Sequence, residues 1–492
     1  MVLFASKKQR RLNLLGIVAL LLASLSASSP AQIASFPTSQ APSLPSSEPP
    51  ATASGITTGN FTGSVATGQA SSTVLPLTLK DALDRGLRQN LGLVLAGVDV
   101  RSARAARLKA LSKLLPNVSA KLTESVQQNN LAAFGLPAFP GTPQIVGPFS
   151  LSDARAFVSQ PLLDLTALND ERSAAFREHA AEFSNADARE IVVLIVANLY
   201  LQAVAGESRV QAAQSQLQTA KSSFDQASHM RNAGVVAGID VLRAQVELQA
   251  RQQRLLSVQN DFAKAKLDLA RAIGLPAGQE FNLADKMPYA PAPVINLETA
   301  LEHALQQRAD YLRAQMLVRA AEASRRAAIS EALPSLKFDG NYGDIGRTFG
   351  NSHGTFGADA ALNIPIFQGG KVAADTEQAS AVLAQRRDEL DNLRGQIDSE
   401  VRKAFLDLQA ASEQVEVTRQ EVDLASQTLT QSRDRFAAGV ADNLEVVQAQ
   451  EALANANEVY IDSVYAHNVA KASLARVVGV AEKSVKEFLG AR

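Results

Sequence analysis

The sequence predicts a mostly α fold with a small β part, and three observations predict it. One unit (helix, strand, strand, long helix, tight turn, long helix) is written twice. The long helices carry seven-residue apolar repeats. The short segments between helices alternate apolar and polar residues, the period of a strand.

The duplication comes first, because it organises everything else. Leu79-Lys80-Asp81-Ala82-Leu83 matches Leu297-Glu298-Thr299-Ala300-Leu301 at an offset of 218, which holds through Leu115-Pro116 and Leu333-Pro334. Gln160-Pro161-Leu162-Leu163 matches Ile364-Pro365-Ile366-Phe367 at 204. Ala233-Gly234 matches Ala438-Gly439, and Ile273-Gly274 matches Val478-Gly479, at 205. The drop of 14 between the first two offsets places extra length between Pro116 and Pro161. Length variation of that kind marks a loop tip, expected around Phe134 to Pro148 and including Gly141.

Residues 371–437 contain no Pro and only Gly395. Leu383, Leu390, Ile397, Ala404 and Ala411 recur every seven residues, and Val401, Leu408, Val415, Val422, Leu429 and Phe436 form a second series. The return helix carries Val446, Leu453, Tyr460, His467 and Leu474. The first half has Val196, Ala203, Val210, Leu217 and Phe224, then Val241, Leu248, Leu255, Phe262 and Leu269. A sustained seam of this kind predicts coiled-coil packing. At about 1.5 Å per residue, a helix of about 65 residues is roughly 100 Å long.

Strands are expected at about 117–126, 150–160, 335–343 and 355–364. Leu336, Phe338, Gly340 and Tyr342 alternate with Ser335, Lys337, Asp339 and Asn341. Phe356, Ala358, Ala360, Leu362 and Ile364 alternate with polar or small residues, and Val118, Ala120 and Leu122, then Ala154, Ala156 and Val158, repeat the pattern. A soluble hairpin and a transmembrane barrel strand both fit such alternation. The export signal below, and the lack of a second apolar run expected to span a bilayer as a helix, favour the barrel. Four strands cannot close a barrel around an open lumen, so several chains must pool theirs. Asp339 and Asp359 are then candidate lumen-facing residues.

The ends are simpler. Lys7, Lys8, Arg10 and Arg11 precede an apolar run from Leu12 to Leu25, and Ser29-Pro30-Ala31 offers small residues for cleavage. Residues 1–31 read as a secretory signal peptide. Residues 32–76, rich in Pro, Ser, Thr, Ala and Gly, read as a flexible tether. The first repeat is expected over 77–275, a connector over 276–295, the second repeat over 296–480 and a tail over 481–492.

Among 492 residues there is no Cys, which excludes disulfides, thiolate metal sites and an N-terminal lipidated Cys. A net charge of −1 gives no reason to expect a nucleic-acid partner. No nucleophile elbow, His–carboxylate cluster or ordered set of metal ligands appears, so neither an enzyme nor a cofactor is expected. Gly369-Gly370-Lys371 lacks phosphate-loop spacing. His467 falls on an apolar seam and reads as a packed, hydrogen-bonded core residue. Asp240 and Glu445 each follow a turn glycine by six residues. They read equally as a pore constriction that binds cations and as favourable charge at helix N-termini.

Taken together, these marks resemble the TolC-type outer-membrane efflux and secretion channel family over about residues 77–480. They are Leu79-x-x-Ala82-Leu83; Leu115-Pro116 and Leu333-Pro334 before strands; Pro365-Ile366-Phe367-Gln368-Gly369-Gly370 after them; and the turns Ala233-Gly234 with Ile239-Asp240 and Ala438-Gly439 with Leu444-Glu445. The resemblance implies a homotrimer, with a 12-stranded β-barrel in outer-membrane lipid above a long α-helical coiled-coil barrel. It implies a periplasmic adaptor protein and an inner-membrane pump as partners. It places the turns Gly234-Val235 and Gly439-Val440 at the periplasmic tips as adaptor contacts. The family pattern has an Arg two residues after the second turn glycine and acidic residues six and nine after it; here those positions hold Ala441, Glu445 and Gln448. The Arg latch and one acidic ring are therefore not carried over, which predicts a more weakly held gate. The competing reading is a secreted structural coiled coil without membrane strands. Scarce Met and His weigh against metal efflux.

Overall fold

The computed structural model describes residues 61–134, 143–286, 289–291 and 296–488. The expected signal peptide, most of the tether and Gly141 lie outside these residues.

Strand β1 (Leu75–Leu77) leads into α1 (Leu79–Gln89) and α2 (Leu91–Ser112). Strands β2 (Asn117–Asn130) and β3 (Ile145–Leu163) follow, then α3 (Leu165–Asn232) and α4 (Gly238–Ala272). After β4 (Phe281–Leu283) the unit recurs as α5 (Leu297–Gln307), α6 (Ala309–Ser330), β5 (Ser335–Gly346), β6 (Ser352–Asn363), α7 (Lys371–Ala437) and α8 (Asn443–Val478), with α9 (Ala481–Phe488) closing the chain. The offset of 218 relates α1 to α5 and α2 to α6 residue for residue. Strands β2, β3 and β5 outrun their expected spans, and β6 starts three residues early and stops one short, at Asn363. The alternation fades at the strand ends, where only ladder hydrogen bonds mark continuation.

Helix starts are set by local chemistry. The Thr78 side chain accepts from Asp81 N while the Asp81 carboxylate accepts from Thr78 N, a capping box. Asn90 caps α2 by accepting from Gly92 N at 3.0 Å. The breaks at Asn90 and Arg308, both extended, split each short helical arm in two.

The core forms where the upper parts of the long helices meet the short ones. Val192, Val196, Tyr200, Leu201, Leu269 and Ile273 are almost wholly buried with Leu77, Leu79 and Leu83. Ile397, Val401, Leu408, Leu474 and Val478 build the matching core of the second repeat. Burying a side chain of this kind stabilises by roughly 1.5–3 kcal/mol. The Tyr200 hydroxyl donates to the Leu77 carbonyl (3.1 Å) and to Asp285 Oδ2 (2.8 Å), which also accepts from Leu79 N (2.7 Å). One side chain of α3 thus fastens β1, α1 and the connector.

Three expectations need correction. The last part of the tether, from Phe61, is docked: Val65 N donates to the Gln89 carbonyl at 2.8 Å, and the Phe61 ring packs where a side chain at Gly92 would stand. Hydrogen bonds to a neighbouring helix end offset an unfavourable composition. Residues 481–488 form a helix held to α3 by Arg189 Nε donating to Glu482 Oε2 at 2.8 Å. Finally, α3 does contain a window long and apolar enough to cross a membrane, with 56% of it buried inside the fold. It is the central core helix, in contact with α1, α2, α4, α6 and α8.

Candidate functional site

Two places hold the candidate residues: the turns at the far ends of the long helices, and the sheet.

The two turns share one backbone design. Gly234 and Gly439 adopt φ of 74° and 71°, the left-handed region that glycine enters without penalty. Val235 N donates to the Met230 carbonyl (2.9 Å) and Val440 N to the Arg435 carbonyl (3.0 Å), closing each helix with the same bond. Val235 and Val440 are left 61% and 69% exposed. The next helices start differently. The Asp442 side chain accepts from Glu445 N at 3.3 Å and caps α8, whereas Ala237 offers α4 no side-chain cap.

Both tip carboxylates face arginines. Asp240 Oδ1 is 3.5 Å from Arg243 Nη1 on the next turn of α4. Glu445 Oε1 is 3.5 Å from Arg435 Nε on α7 and accepts from Ser432 Oγ at 3.3 Å. Arg435 therefore offers Glu445 a basic partner although Ala441 stands at the family's Arg position. The tips are also joined to each other: Asn443, 1% exposed, donates from Nδ2 to the Asp240 carbonyl at 3.0 Å. Further up the same seam, Gln450 Nε2 donates to Ser223 Oγ at 2.7 Å, and Arg254 and Arg209 pair with Glu458 and Asp462. Beside the tips, Ile239, Leu242, Val246, Leu444 and Val447 line an open apolar groove of about 330 Å³.

The sheet runs β2-β3-β5-β6, antiparallel throughout, with β2 and β6 at its edges. Its register sorts the side chains by face. Leu122 lies opposite Ala154, Ala156 opposite Tyr342, and Tyr342 opposite Phe356, so the alternating apolar residues of all four strands share one face. The other face carries Lys121 opposite Arg155, and Asp339 directly opposite Asp359. Lys337 Nζ stands 2.9 Å from Asp339 Oδ1, and Arg155 Nε donates to Asp153 Oδ1 at 2.6 Å.

Sequence reasoning named both tip carboxylates but missed their arginines. Arg243 carried a usable signal, three residues after Asp240 on one helix face. Arg435 carried none, because its first-repeat counterpart is Met230. His467 is 1% exposed, with Nε2 3.2 Å from the Ala290 carbonyl and Nδ1 3.3 Å from Ser412 Oγ. Among the described residues no group of three or more His, Asp or Glu could hold a metal.

Comparison with known proteins agrees with this architecture. The alkaline protease secretion protein AprF of Pseudomonas aeruginosa is 22% identical over 344 residues, covering 68% of this chain and 71% of AprF. The probable efflux pump outer membrane protein TtgC of Pseudomonas putida is 24% identical over 416 residues, covering 82% of each. Among solved structures, the open state of the Neisseria gonorrhoeae MtrE outer membrane channel superposes with a TM-score of 0.70 at 17% identity, covering 85% of this chain and 95% of that one. The family described as outer membrane efflux protein matches residues 82–275 and 300–480, and the chain belongs to that family.

Proposed function

We propose that three copies of this chain form a passive exit duct in the outer membrane, the last component of a tripartite efflux pump or type I secretion system. The observation that carries this reading is the four-stranded sheet with two free edges, one face apolar and the other charged. Such a sheet satisfies its edges in a membrane only by joining copies of itself into a closed barrel. Asp339 and Asp359 then line the lumen. The long hairpins run into the periplasm and end at Gly234-Val235 and Gly439-Val440, where an adaptor protein docks and leads to an inner-membrane pump. Asp240 and Glu445 ring the narrow end. The duct performs no chemistry, and its cargo is set by the pump.

The test is fractionation and sizing. The protein partitions with the outer membrane, and crosslinking in mild detergent gives a ladder that stops at three. A membrane-inserted monomer, or a soluble coiled coil, would overturn the reading. An epitope inserted at Gly141 labels on intact cells if the β2–β3 connection faces outward.

A further inference from the structure

The two places where a short arm meets the end of a return helix are filled differently. Gly479, at the end of α8, abuts Arg308 at the break between α5 and α6. Gly274, after the end of α4, abuts Gln89 beside the break at Asn90. Beyond Gly479 the chain turns into α9, which lies on α3. There Glu482 N donates to Glu190 Oε1 at 3.3 Å, and the Arg189 guanidinium pairs with the Glu482 carboxylate. At the first junction residues 61–67 take the corresponding place. Asn90 Nδ2 donates to the Phe61 carbonyl at 2.6 Å, Leu91 N to the Gly63 carbonyl at 3.0 Å, and Ser64 Oγ to the Arg271 carbonyl in the last turn of α4. Val65, Ala66 and Thr67 stay exposed.

The junctions also differ in what stands beside them. Of the long helices, α6 packs on both α3 and α7, whereas α2 packs on α3. The side of α2 away from the buried Leu93 carries Leu95 and Val98, 43% and 42% exposed. In a ring of copies the neighbour missing there is α7 of the next chain, which corresponds to α3 in the duplication. The offsets of 204 and 205 that bracket these helices map Glu190, which receives α9, onto Arg394 or Gly395. Gly395 is the only glycine in α7, and nothing stands within 4 Å of the Cβ it lacks. It lies two residues from the buried Ile397, so it faces away from the chain's own core. A glycine in mid-helix lowers helix propensity roughly four-fold relative to Ala. No contact within the chain offsets that loss, so the gap at Gly395 fits a close approach from outside it.

We propose that residues 61–67 of each copy form a clasp that seats against α7 of the next copy at Arg394-Gly395, as α9 seats on α3 within one copy. This rests on the trimeric reading above. The absent side chain at Gly395 admits the backbone of the strap, and the clasp ties neighbouring copies at the level where the short arms meet the return helices.

The chain has no Cys, so an introduced pair reports a single contact. Val65→Cys with Gly395→Cys, extracted in mild detergent and treated with a short bis-maleimide, gives covalent dimers and trimers on a denaturing gel. Val65→Cys with Leu424→Cys, far down α7 toward the tip, runs as a monomer. Ala66→Cys and Arg394→Cys replace their neighbours where the first pair does not assemble. A second measurement uses the sign of a substitution. At an open helix position Gly395→Leu favours the helix and leaves the lifetime of the trimer in SDS unchanged or longer. Within the clasp it crowds the strap and shortens that lifetime roughly ten-fold. A trimer in which none of these strap and α7 pairs joins, or in which they join only within one chain, overturns the clasp and leaves the duct standing. A Gly395→Leu trimer as long-lived as the parent overturns it too. Failure of the parent protein to form a trimer overturns the duct reading itself, and the clasp with it.

Discussion

Arg435 Nε lies 3.5 Å from Glu445 Oε1, across the turn that joins α7 to α8. The pair is largely solvated, so its direct contribution to stability is small, about 0–1 kcal/mol. With Glu445 at the pore constriction, as proposed above, its larger effect is on the charge offered to a passing ion. Arg435→Gln leaves Glu445 without its basic partner. In planar bilayers, cation-over-anion permeability from the reversal potential is expected to rise roughly two- to five-fold, the factor matching ~0.5–1 kcal/mol per ion. Divalent block from the periplasmic side should strengthen with it. The double variant Asp240→Asn with Glu445→Gln should do the opposite. Unchanged selectivity in both would leave these carboxylates as helix-end charges only.

Asn443 joins the two hairpin ends through the Asp240 carbonyl. Asn443→Ala removes the buried donor that ties the two hairpin ends together, a loss of roughly 0.5–1.5 kcal/mol at the tip. The expected result is faster amide exchange confined to the first turns of α4 and α8, with trimer yield unchanged. Exchange that rises uniformly along α3 and α7 would contradict a local role.

Arg308 is 4% exposed and donates to Asp310 (2.6 and 3.0 Å) and Glu400 (2.6 Å). Burial opposes ionisation of Asp310, but the hydrogen bond and charge of Arg308 outweigh it and hold the carboxyl below its usual range. A depressed acid contributes stability above its unfolded pKa and loses it as pH falls through its folded one. Arg308→Leu strands two carboxylates and should cost about 3–5 kcal/mol at neutral pH. The deficit should shrink in acid as Asp310 takes up a proton. Urea midpoints of the detergent-solubilised protein at neutral and acidic pH measure both effects.

Lys471 is fully buried and donates from Nζ to the Ala290 carbonyl at 3.0 Å. Burial pushes its ammonium down to about 8. The unfolded chain binds that proton more tightly, so stability should rise between pH 8 and roughly 10.4 and level off above. Lys471→Met should abolish this rise and raise stability at neutral pH by about 1–3 kcal/mol. Thermal unfolding across that pH range checks the slope, and a parallel slope in the variant would assign it to another group.

The architecture was legible where it depends on order along the chain. The offset between Leu79 and Leu297 marked two matching arms, and the alternation from Leu336 to Tyr342 marked a two-faced strand. What stayed hidden depends on how helices are rotated against one another. Nothing near Lys471 in sequence indicates that the carbonyl of Ala290, on a distant connector, accepts its hydrogen bond. Nothing near Phe61 indicates that a Pro- and Ser-rich segment ends against Gly92. Arg435 was hidden for a third reason: the second repeat placed a basic group where the first kept Met230, so duplication itself was a misleading guide.

The unequal helix starts have a consequence for whatever meets the tips. Asp442 caps the first turn of α8 with its own side chain, whereas that of α4 has no side-chain cap at Ala237 and depends on Asn443 from α8. Six such ends around a threefold axis would alternate stiff and soft. A ring of identical partner subunits would then encounter two classes of seat, one ready-made and one shaped on contact. Engagement would proceed in two affinity steps, with the Asp442-capped positions filled first.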